Sequence, residues 1–172
     1  MELTKRERYF KVFEKYMDAM KGRSVKWFVP GASKYHDGRI AKFMNYFAVP
    51  FEMDDVIMFL DTTVFRTAKE GFLFTTQGIV IKEVMEKLYF LDFSKIDYAD
   101  LEEFKDEDTS LVTTKIRINF KDGTSRHVLD YDVKKFFFVE YINEAVALTA
   151  KIKKEEERGL EGRKGLYRKS YI

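Results

Sequence analysis

His36 and His127 are the only imidazoles in a chain of 172 residues that contains no cysteine. Without thiols, disulfides, thiolate zinc sites and cysteine nucleophiles are excluded, and a catalytic triad would have to recruit one of these two rings. His36-Asp37 stands just before Gly38 and reads as a surface loop. His127 sits beside Arg126 in an alternating run and reads as an ordinary sheet residue. Neither has a recognisable nucleophile partner, so no catalytic residue is assigned. The triplet Asp106-Glu107-Asp108 lacks the alternation and the glycine of an EF-hand loop, and reads as a solvated loop. No phosphate-binding glycine loop, nucleophile elbow or zinc-binding helix motif occurs. These residues predict a non-enzymatic protein with no metal and no cofactor.

Polar groups inside β-prone stretches are the next candidates. Asp61, Thr62 and Thr63 interrupt such a run, and are expected to hydrogen-bond backbone at a bulge or corner. The turn that follows offers Arg66 and Lys69, with Glu70 beside them. Arg66 and Lys69 are the first candidates for a ligand or partner surface. Exposed sheet edges come second, because an edge strand can accept a peptide strand.

Charge narrows the partners. The chain carries +2 overall, but residues 151–172 hold eight cations against four glutamates, leaving the remainder at −2. A near-neutral body with a basic tail is not the contiguous basic face that nucleic acid requires. No stretch offers the ~18 uninterrupted apolar residues of a membrane span, and the charged start Met1–Arg8 lacks a secretory signal's apolar core. A cytoplasmic protein without a transmembrane segment is expected.

The elements follow from periodicity. Thr4-x-x-Glu7 has the form of a capping box ahead of Tyr9, Phe13, Tyr16, Met17 and Met20 at helical spacing, predicting a helix over 5–21. Val25–Val29 resembles a short strand that Trp27 anchors to the core. Asp37-Gly38 is a turn pair, and a second helix over 39–48 ends at Val49-Pro50. From Val56 the period becomes that of strands: 56–65, 72–75, 79–81, 87–91, one beginning near Ile96, 115–120 and 125–130. Gly71, Gly78 and the pair Asp122-Gly123 mark the hairpins. Asp132 caps a last helix, apolar from Phe136 to Leu148, with Gly159, Gly162 and Gly165 predicting a frayed end.

The segment Val49-Pro50-Phe51 through Asp61-Thr62-Thr63-Val64-Phe65, running into Ala68-Lys69-Glu70-Gly71 and Thr75-Thr76-Gln77-Gly78-Ile79, resembles a group of bacterial proteins with a pleckstrin-homology-like (PH-like) domain. The resemblance covers residues 49–96 and extends more loosely to the final helix, but does not take in 1–48 or the tail. Where those proteins carry a small residue after the strand's phenylalanine, this chain has Arg66. The resemblance implies an α+β, mainly β, fold: a seven-stranded barrel or orthogonal sandwich over 51–150, capped by the C-terminal helix. Residues 1–50 would form a helical extension, and 151–172 the helix end and basic tail.

The function this implies is non-catalytic binding of a protein partner, or self-assembly. The alternative is a peripheral module for anionic lipid or phosphoinositide at a membrane surface, and an unrecognised enzyme comes last. The 17 Phe, 10 Tyr and one Trp exceed what a small barrel can enclose, so the helices are expected to extend its core.

Overall fold

The helical start is set by a reciprocal cap: Glu7 N–H donates to Thr4 Oγ1 at 3.2 Å, and Thr4 N–H donates to Glu7 Oε2 at 2.7 Å. In the computed structural model, which describes residues 2–20, 26–63, 67–105, 110–128 and 134–169 (161–169 as helix path alone), this cap opens α1, Lys5–Met20. Strand β1 (Lys26–Phe28), helix α2 (Lys34–Tyr46) and a single 3-10 turn over Met53–Asp55 follow. Then come β2 (Val56–Asp61), β3 (Gly71–Thr75), β4 (Gly78–Lys82), β5 (Tyr89–Asp92), β6 (Ile96–Lys105), β7 (Val112–Phe120) and β8 (Ser125–Val128). The final helix, α3, spans Lys135–Lys169, about 52 Å at 1.5 Å per residue.

The fold is α+β, with two antiparallel sheets ordered β1-β2-β3-β4-β5 and β6-β7-β8. The expected closed barrel is not what forms: among the described residues, no strand of one sheet pairs with a strand of the other. The physical reason lies in β2, β3 and β4, which are buried almost throughout. A strand apolar on both faces needs cover on both. Leu60, Phe72, Phe74, Ile79 and Ile81 face α1, α3 and the second sheet. Val56, Phe59, Leu73 and Val80 face the other way, against Phe28 of β1 and Ile40, Phe43 and Met44 of α2. The aromatic excess therefore fills two cores. Phe13 alone meets the rings of Trp27, Phe74 and Tyr141 at 4.8–5.3 Å.

Other boundaries also differ from expectation. The second helix begins at Lys34 instead of residue 39, because Ser33 caps it by accepting from His36 N–H at 3.2 Å. Asp37 and Gly38 thus lie within the helix and form no turn. The first strand after Pro50 ends at Asp61. Gly159, Gly162 and Gly165 do not break α3, which runs on to Lys169. The capping residue Asp132 lies outside the described residues, as does the end of the strand expected over 125–130. Trp27 packs against Phe13 and Phe74 as expected. Gly71 (φ +148°) and Gly78 each bring their backbone so close to a neighbouring strand that a Cβ would meet a carbonyl oxygen, of Leu60 in β2 at 2.1 Å and of Leu91 in β5 at 2.0 Å.

Candidate functional site

Strand β6 is the longest in the molecule as described, and it pairs only with β7. Its register starts with an irregularity between Ile96 and Tyr98. From there Ala99, Leu101, Glu103 and Lys105 lie opposite Ile118, Ile116, Thr114 and Val112. Helix α3 crosses this sheet from the β7 side, where Lys135 Nζ donates to the carbonyl of Thr114. At Ala99 the helix reaches the outer edge. There Ala99 N–H donates to Asn143 Oδ1 at 2.7 Å, and Asn143 Nδ2 donates to the Ala99 carbonyl at 2.9 Å.

This pair of bonds fixes the sense of the whole strand. Both backbone groups of Ala99 point away from β7, so Ala99–Ile118 is a non-hydrogen-bonded pair of the antiparallel ladder. By the two-residue repeat, the N–H and C=O of Leu101, Glu103 and Lys105 also point outward. The Asn143 amide stands where a neighbouring strand's backbone would stand, for one residue only. Beyond it, among the described residues, the edge continues with no strand beside it.

The side chains of Leu101 and Glu103 share the α3 face of β6 with Ala99. Phe136, Glu140 and Asn143 follow at helical spacing on α3, one turn apart, and the Asn143 bonds to Ala99 turn that stripe toward the edge. Leu101 is 37% exposed and Phe136 58%. These exposed side chains, with Lys105 on the same face of β6, border the row of outward backbone donors and acceptors, whose chemistry is that of strand pairing.

The opposite face of the same sheet is held by charge. Arg117 grips Asp100 with two bonds of 3.0 and 2.6 Å and reaches Glu102 at 3.1 Å. The guanidinium holds the Asp100 carboxyl below its ordinary range, and Asp100 in turn raises Arg117. His127 Nε2 meets Glu102 at 2.6 Å, with its ring 5.3 Å from Phe104. His127 is therefore a strand residue, as expected, and its visible partners are Glu102 and Phe104. His36 departs from the loop reading: it lies on α2 and its Nδ1 accepts from Val29 N–H at 2.9 Å, which fixes the proton of a neutral ring on Nε2.

Arg66 lies outside the described residues, as do Asp106, Glu107 and Asp108. Lys69 directs its ammonium over the ring of Tyr46, 5.5 Å from the centroid. The polar run before it is structural. Asp61, 1% exposed, accepts from Thr63 N–H at 3.0 Å, Thr63 Oγ1 at 2.5 Å, Ala68 N–H at 3.1 Å and Arg39 Nη2 at 2.7 Å. Thr63 Oγ1 also accepts from Thr67 N–H at 2.6 Å. The carboxylate gathers donors from both sides of the turn, and Thr62 N–H reaches the Glu70 carbonyl at 3.4 Å.

Sequence reasoning missed two groups. Asn143 is a lone amide in the apolar run Tyr141-Ile142-Asn143, and that isolation was a usable signal. Glu83, 4% exposed, accepts from Tyr89 OH at 3.2 Å through Oε2, while Oε1 is buried without a partner. Burial pushes its carboxyl up to about 7. Arg126 lies over the Tyr89 ring at 3.5 Å, joining the two sheets here. Nothing in the local sequence marks Glu83 as buried.

Two clefts lie elsewhere among the described residues. One of about 540 Å³ lies between α2 and the segment after it, lined by Met44, Val49, Phe51 and Met53. The other, about 420 Å³, lies between α1, α3 and the β3–β4 turn, with Lys5, Tyr9, Gln77, Asp92 and Lys153. No described helix is long and apolar enough to cross a membrane. Compared with protein-family models, curated proteins and solved structures, the chain matches none.

Proposed function

We propose that the chain is a non-catalytic binding module of PH-like type that takes a protein partner by strand addition along the outer edge of β6. The observation that carries this reading is the Asn143 amide on Ala99. Among the described residues it covers the edge at Ala99, and no strand lies beside the outward groups of Leu101, Glu103 and Lys105 beyond it. Main-chain hydrogen bonds would supply affinity, and the exposed side chains flanking the edge would read alternate side chains of the guest. The succession β2–β8 followed by α3 also supports the PH-like assignment, with β1, α1 and α2 added to it. For the anionic-lipid alternative, the lysine of the candidate turn is engaged with Tyr46 instead of standing free.

Glu103→Pro is the discriminating variant. It deletes an outward N–H, a position at which an edge strand tolerates proline because the ladder to β7 is untouched. A partner retained from host extract by immobilised wild-type protein should be lost with Glu103→Pro and kept with Lys69→Ala. Retention by Glu103→Pro, or loss with Lys69→Ala alone, overturns the assignment.

A further inference from the structure

We infer that the strand added to the β6 edge is β6 of a second copy, antiparallel to the first about a two-fold axis at Phe104. The inference rests on the strand-addition reading above and names the partner. Two identical antiparallel strands form a regular ladder only when outward groups face outward groups. The axis must then pass through a residue and not between residues.

Glu103 and Lys105 decide which residue. Both lie on one face of β6, both are exposed, and among the described residues neither makes an ion pair. An axis at Glu103 sets that carboxylate against its own copy, and an axis at Lys105 does the same with two ammonium groups. An axis at Glu102 sets Glu103 against Leu101 and Glu102 against itself. The axis at Phe104 sets Glu103 of each chain opposite Lys105 of the other, so opposite charges meet on both sides of the axis. Glu103 and Lys105 also carry outward N–H and C=O groups, so each of these pairs exchanges both of its backbone hydrogen bonds.

On the opposite face, Phe104 meets its own counterpart in a non-hydrogen-bonded pair, where side chains approach closest. Its ring lies 5.3 Å from that of His127, and the Lys115 ammonium stands 4.5 Å from its centroid. An aromatic pair across the axis extends that stack.

The edge is accessible at this point. From Leu101 to Lys105 no residue of β6 is buried, and Val112, opposite Lys105, is exposed as well. This end of the β6–β7 hairpin therefore stands clear of both cores. Asn143 covers the edge at Ala99, outside the segment from Glu103 to Lys105.

The test is the concentration dependence of association in the full chain, followed by sedimentation equilibrium and amide hydrogen exchange. The wild type should pass from monomer to dimer as concentration rises, with exchange slowing at Glu103 and Lys105. Glu103→Lys and Lys105→Glu should each weaken the dimer about 5–50-fold, because either one makes both pairs repulsive. Combining Glu103→Lys with Lys105→Glu in one chain should restore it, since the pairs re-form with reversed sign. That chain keeps the wild-type net charge, so its recovery reports the register. A dimer that the single exchanges leave intact, or that the double exchange fails to recover, overturns the inference. A chain that stays monomeric at millimolar concentration also overturns it, while strand addition stands if Glu103→Pro still loses a partner from host extract. If Glu103→Pro dimerises as the wild type does and keeps the host partner, both readings fall.

Discussion

Asn143 meets both backbone groups of Ala99 with its one side-chain amide, at 2.7 and 2.9 Å. A helix thereby supplies to a sheet edge what another strand would supply. The helix is locked to the sheet at that point, and beyond it no strand among the described residues pairs with the edge.

Asn143→Ala should therefore cost about 1–3 kcal/mol, since it leaves a donor and an acceptor of Ala99 unsatisfied beneath the helix. Asn143→Asp should retain part of the interaction, because a carboxylate can accept from Ala99 N–H but cannot donate to its carbonyl. Urea denaturation of the three proteins checks the order wild type, Asp, Ala.

Asp61 is the hub of the turn after β2, receiving Arg39 and three donors from Thr63 and Ala68. Asp61→Ala strands the largely buried Arg39 and frees those donors together. A loss of about 3–5 kcal/mol is expected, read as a fall in the chemical denaturation midpoint. Exchange of the Thr63 and Ala68 amides should accelerate with it.

Glu83 should make stability depend on pH in an unusual direction. Burial raises its carboxyl from 4.5 to about 7, so between those values the folded chain binds more protons than the unfolded one. By linkage, stability then falls as pH rises. The contribution is complete below pH 4.5, is lost through the window, and levels off above about 7. Glu83→Gln removes the dependence and should be the more stable protein at pH 8, by at most on the order of 3 kcal/mol. Denaturation of both proteins at pH 5 and pH 8 measures it, and an unchanged pH slope in the variant would contradict this account.

Gly78 has no room for a side chain, because a Cβ would lie 2.0 Å from the Leu91 carbonyl oxygen and 2.7 Å from the Phe90 ring. Gly78→Ala should part β4 from β5 at a cost of about 3 kcal/mol. Gly38→Ala is the control. It sits in α2 with nothing within 4 Å of the added atom, and should stabilise by roughly 0.5–1 kcal/mol. Thermal unfolding of the pair separates the two effects.

Local chemistry determined much of this protein from the sequence alone. The Thr4–Glu7 cap, the strand positions from Val56 onward and the alternation of Ile116 and Ile118 all depend on residues a few places apart, so spacing was enough to read them. The tight approaches at Gly71 and Gly78 were legible as glycines at hairpins. The polar run at Asp61 was legible as a structural turn, though its partner Arg39, 22 positions earlier, was not.

Tertiary structure decided what depends on long-range pairing. A barrel and two separate sheets can share the same strands in the same order, and the difference lies in whether edges meet across the turn between β5 and β6. Strands buried on both faces, with α2 taking the outer one, settled that choice in favour of two cores. The same holds for Asn143 and Glu83. An amide becomes an edge cap, and a carboxyl is pushed up to about 7, only when packing brings a sheet against a helix or closes two sheets over a side chain.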